Sequence, residues 1–96
     1  MAKGTNIIHL IREKVRNQEY EIAAPHFYEE LRNDGLIFSD IEVAIATGQI
    51  AQTFTPDPRG TRYEIIGEAT DGRMITIICR IKLSGTLLFI TTWALE

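Results

Sequence analysis

Cysteine is nearly missing from this chain: Cys79 stands alone, so no internal disulfide and no thiolate zinc cluster can form within one molecule. Histidine is almost as scarce, with two residues. His9 and His26 lie far apart with no cysteine pair, which is no zinc-ligand spacing. No phosphate-cradling glycine loop follows any strand-like segment. Long apolar runs are missing too, and none approaches the roughly 18–20 residues that cross a bilayer. The start has no apolar core leading to a small-residue cleavage site. These absences point to a cytoplasmic protein with no metal and no cofactor.

Base is also in short supply. The net charge is −3, which argues against a generic nucleic-acid binder. Its distribution says more. Residues 1–18 carry a net +3, residues 19–57 a net −7 and residues 58–96 a net +1. The 96 residues suffice for one domain, 1–96, and the 45% hydrophobic content suits a folded core. A core this small leaves a thin stability margin, to which a partner or a homodimer contact would add.

Periodicity supplies the elements. Ile8, Ile11 and Val15 make one stripe of a helix over 6–17, whose charged face includes His9, Arg12, Glu13 and Arg16. "EYEIAA" reads as a short extended lead-in. Pro25 suits the first position of a second helix, 25–34, with Gly35 as its left-handed cap. Ser39 and Glu42 form an S-x-x-E capping box for a third helix, 39–47, with Phe38 and Val43 as a hydrophobic staple. Two-residue alternation then takes over, giving strands 49–55, 62–70, 73–82 and 86–94. Helices first and strands after imply an α+β fold: N-terminal helices on one face of an antiparallel four-stranded meander.

Reading Asp71-Gly72 and Ser84-Gly85 as two-residue turns sets Tyr63 and Phe89 opposite Arg80. One face then carries Ile66, Ile75, Ile77, Cys79, Ile81, Leu88, Ile90 and Ala94, and receives the helices. The other carries Tyr63, Ile65, Gly67, Met74, Thr76, Ile78, Arg80, Phe89, Thr91 and Trp93. A one-residue slip would exchange the faces.

Four stretches have a familiar look: the His26 to Leu36 segment, "SDIEVAIATGQI", "PRGTRYEIIGEATDGRMITII" and "LLFITTW". From about Tyr20 to Trp93 the chain resembles an uncharacterised bacterial domain family, frequent in cyanobacteria. That family has been grouped with the RelE-like toxins, beside barnase-type, EndoU and colicin nucleases. The resemblance implies a ribonuclease-like fold and a small zinc-finger antitoxin-like partner. The pattern carries over to His26, Gly35, Asp40, Gly48, Arg62, Tyr63, Gly67, Gly72, Arg73 and Thr91. Trp93 stands where an aromatic is expected. Asp34 departs from it, since many members have a basic residue there.

Metal-free RNA cleavage needs a base for the 2′-hydroxyl, an acid for the leaving 5′-oxygen and positive charge on the phosphate. His26 is the candidate base or acid, because the partial positive charge of a helix N-terminus disfavours imidazolium. Arg80 offers a guanidinium fork to phosphate, and Tyr63 a hydroxyl donor. Arg62, Arg73 and Thr91 are candidate substrate contacts, and Trp93 a stacking platform for a base. Two functions follow: a toxin-like endoribonuclease held by a cognate partner, or a non-catalytic protein-interaction module on the same fold.

Overall fold

A computed structural model describes residues 3–55 and 58–95. The element order is α1 (Lys3–Arg16), β1 (Tyr20–Ile22), α2 (His26–Asn33), α3 (Phe38–Thr47), β2 (Gln49–Phe54), β3 (Arg62–Glu68), β4 (Met74–Ile81) and β5 (Leu87–Ala94). The α+β order matches the sequence reading, and the sheet corrects it. Five strands lie in the order β1-β5-β4-β3-β2, and β1 runs parallel to β5. The lead-in "YEI" is thus an edge strand, paired Tyr20 to Leu87 and Ile22 to Phe89. Three residues are too few to show a period, which is why it read only as extended chain.

Both hairpins are one residue longer at the loop than the sequence suggests. Ala69 N donates to Arg73 O at 2.7 Å and Lys82 N to Thr86 O at 2.9 Å, so the loops are 70–72 and 83–85. Gly72 (φ +91°) and Gly85 (φ +95°) take the last loop position, where a positive φ is required. Tyr63 therefore pairs with Cys79, and Arg80 faces Arg62 and Leu88 instead of Tyr63 and Phe89. Tyr63, Ile65 and Gly67 turn to the helix side, and Ile66 to the open side. In β5, Leu87 and Phe89 face the helices instead of Leu88. A bulge where Ile78 and Cys79 meet β5 then adds one residue, Ile90, and returns Thr91 and Trp93 to the open side as expected.

The core lies between this sheet and the helices. Phe27 and Leu31 of α2 and Ile41, Ala44 and Ile45 of α3 are buried against Ile65, Ile75, Ile77, Leu87 and Phe89. Each fully buried Ile or Leu contributes about 1.5–3 kcal/mol relative to exposure. Phe38 is no staple to Val43. Its ring stacks on Tyr20 at 5.4 Å and meets Phe89 edge-on at 5.7 Å, while Val43 is exposed. Nor does Ser39 cap α3. Asp40, one turn inside, accepts from Ile37 N at 2.9 Å, and its other oxygen accepts from the Thr70 amide and hydroxyl. This ties the start of α3 to the β3–β4 loop.

Cys79 sits on the helix side, fully buried, and burial pushes its thiol pKa up to about 12. Iodoacetamide at pH 8 is expected to leave the native protein unmodified and to label it fully in denaturant. Rapid labelling of the native chain would show that this part of the core opens.

Candidate functional site

The open side of the sheet is where polar chemistry collects, and the strand register orders it into rows. The first row runs Phe54, Arg62, Arg80, Leu88 across β2, β3, β4 and β5. The second runs Gln52, Glu64, Ile78, Thr91, and the third Gln49, Ile66, Thr76, Trp93. Two guanidinium-bearing residues directly opposite on neighbouring strands would ordinarily repel. Arg62 lies over the Phe54 ring at 5.0 Å, and its buried Nε has no hydrogen-bond partner among the described residues. Arg80 is only 7% exposed, and its Nε donates to Gly60 O at 3.2 Å, fastening the β2–β3 connection to the sheet.

The predicted site residues do not come together. Arg62, Arg80, Thr91 and Trp93 share the open side, with Trp93 exposed at its rim. Tyr63 points the other way, into the helix-side core, and burial raises its hydroxyl pKa while a bond with Thr61 opposes the rise. His26 is exposed at the first turn of α2, in the helix layer. The sheet thus lies between His26 and Arg80, and one phosphodiester cannot meet all three expected catalytic groups.

Arg73 has structural work instead. Its Nε bonds Asp71 at 2.8 Å and its terminal nitrogens reach the carbonyls of Asp34 (2.7 Å) and Gly35 (3.3 Å), closing the C-terminal end of α2. Asp34 accepts from Ala94 N at 2.8 Å. The carboxylate at this position secures the end of β5. Asp40 and Arg73, with Gly35, Gly48, Gly67 and Gly72, account for the pattern through folding. Arg62 and Thr91 are the pattern positions left facing outward from the sheet.

Glu64 is the group the sequence reading passed over. It stands on the open side one position along the strand face from Arg62 and diagonal to Arg80. The two-residue turn placed it among the helices, where a lone carboxylate would be costly to bury. That cost was the available signal: Arg62, Glu64 and Glu68 alternate with Tyr63, Ile65 and Gly67, and the charged set belongs outside.

Among the described residues, no helix is long and apolar enough to cross a membrane, and no three His, Cys, Asp or Glu side chains gather as a metal site. No curated protein and no solved structure matches the chain. One family model does, over residues 24–94, which takes in α2 through β5 and leaves α1 and β1 outside. With that share of its length matched, the chain belongs to the family described as Domain of unknown function (DUF4258).

Proposed function

We propose that this chain is a RelE-like, toxin-type endoribonuclease whose open sheet face cleaves RNA without a metal. The observation that carries this reading is the opposed pair Arg62 and Arg80 with Glu64 beside it. A phosphate at the Arg62 guanidinium would supply an acceptor for its Nε and make a charge-assisted contact there. Glu64, in place of His26, is the base that takes the 2′-hydroxyl proton. The 2′-oxygen then attacks phosphorus, and the P–O5′ bond breaks to leave a 2′,3′-cyclic phosphate. Water supplies the proton for the departing 5′-oxygen. Without a placed acid, which contributes about 10²–10⁴-fold, turnover is expected to be slow. Thr91 contacts the backbone and Trp93 stacks on a base, worth about 1–3 kcal/mol.

The test is cleavage of single-stranded RNA in EDTA, with and without ribosomes, and analysis of the product ends. Glu64→Gln and Arg62→Gln are expected to lose at least 100-fold in rate, and His26→Ala less than threefold. Loss in His26→Ala with Glu64→Gln unaffected would contradict the assignment.

A second reading, a non-catalytic interaction module, is favoured by the apolar part of the same face. Met74 and Trp93 are 44% and 38% exposed beside Ile66 and Ile78. Such a patch suits a protein partner, for which a small zinc-finger protein or a second copy is the candidate. No cleavage under any of these conditions would decide for that reading.

A further inference from the structure

The edge strand β2 and helix α1 enclose a groove of about 690 Å³ lined by Ile8, His9, Arg12, Gly48, Ile50 and Thr53 among others. We infer that this groove is a docking site for an extended, acidic peptide segment of a partner protein, which adds to the sheet beside β2. Three observations carry the inference.

The first is the edge itself. β2 ends the sheet, and its six residues, Gln49–Phe54, include no charge and no proline. Strands so exposed are ordinarily blunted by lysine, proline, shortness or a β-bulge, because their unpaired N–H and C=O groups recruit another strand; of these β2 has only the bulge, at Ala51. The opposite edge follows that rule: β1 has three residues, one of them Glu21. The length and neutrality of β2 make it the receptive edge.

The second is charge. Among the described residues, the groove lining includes Arg12 and His9 and no carboxylate, although Glu13 stands next to His9 farther along α1. Arg12 is fixed in place, donating to Ile45 O and Gly48 O at 2.9 Å each. Its charge is held at the groove wall whether or not a peptide is bound, so acidic side chains on one side of an added strand meet it without reorganisation.

The third is the bulge. The register of β2 on β3 shifts between Ile50 and Gln52, leaving Ala51 outside the ladder. Two copies paired antiparallel, edge to edge, would bring two cationic α1 helices onto the same side, and over the full strand would also set one bulge against another. A short foreign segment along Gln52–Phe54 avoids both conflicts.

The experiment is selection of a random dodecapeptide display library on the immobilised full chain, followed by calorimetry and amide-shift mapping with one enriched synthetic peptide. Enriched sequences are expected to be acidic, free of proline over a run of about five residues, and to shift amides of residues 8–12 and 47–54. His9→Glu and Thr53→Glu, both at exposed positions, are expected to weaken that peptide at least tenfold together while leaving the circular dichroism unchanged. Failure to enrich any peptide, shifts confined to the Arg62 side of the sheet, or a dimer in sedimentation broken by Thr53→Glu would each overturn the inference.

Discussion

Gly67→Ala is expected to destabilise the protein by about 3 kcal/mol or more, enough to leave much of a marginally stable small domain unfolded. A Cβ on Gly67 would overlap the Ala44 carbonyl oxygen and lie 2.7 Å from its carbon and 2.9 Å from the Ala44 Cα. All three atoms are backbone, so no side chain can swing aside. Helix α3 would have to lift from β3, opening the contacts of Ile41 and Ile45 with the sheet. A Cβ on Gly48 would crowd the same carbonyl and meet Ile66 O at 2.5 Å. Gly35→Ala is the comparison. It has nothing within 4 Å, and only its φ of +66° makes alanine unfavourable, a cost of about 1 kcal/mol. The urea midpoints should therefore fall far more for Gly67→Ala than for Gly35→Ala. Equal shifts would show that α3 does not pack this closely on β3.

Asp40→Ala is the second large effect, about 2–4 kcal/mol, because it leaves the Ile37 amide and the Thr70 amide and hydroxyl without their acceptor. The carboxylate also makes stability depend on pH. Burial by itself would raise its pKa, but the hydrogen bonds from Thr70 and Ile37, with the Arg73 charge, outweigh burial and hold it below the ordinary 3.8. A group whose folded pKa is depressed contributes its stability above the unfolded value and loses it as pH falls through the folded one. Wild type should thus hold its midpoint from neutral pH down to about pH 5 and lose stability progressively below about pH 4. Asp40→Asn should start lower and fall less steeply over that acid range. An identical acid slope in the two proteins would remove Asp40 from the account.

Element order was legible in the sequence because helical and strand periods are local. Three helices and four strands fall over the segments that periodicity and glycine punctuation marked, with α1 beginning at Lys3 instead of residue 6. Register was less legible, since Asp71-Gly72 and Ser84-Gly85 suit both a two-residue turn and the end of a three-residue loop. The longer loop was formed twice, and each time it turned a neighbouring strand over. Tyr63 and Phe89 left the open side for the core, and Arg62 and Glu64 took their place. The parallel β1 had no signal, being three residues whose partner lies at the far end of the chain. His26 stands in the first turn of α2 as expected, with Pro25 as the cap before the helix instead of its first residue, yet a helix layer and an open sheet face cannot contribute to one site across the sheet. Arg73 and Asp40 were visible as positions in a pattern. Only their contacts show that they fasten loops.

The measurement that bears most directly on the open face is amide and arginine side-chain shift mapping with a short single-stranded 2′-deoxy oligonucleotide, which binds as RNA would but cannot be cleaved. Shifts are expected at Glu64, Thr91, the Trp93 indole N–H and the Nε–H groups of Arg62 and Arg80, with affinity falling as salt rises. Shifts centred on His26 and α2, with the Arg62 and Arg80 signals unmoved, would contradict it.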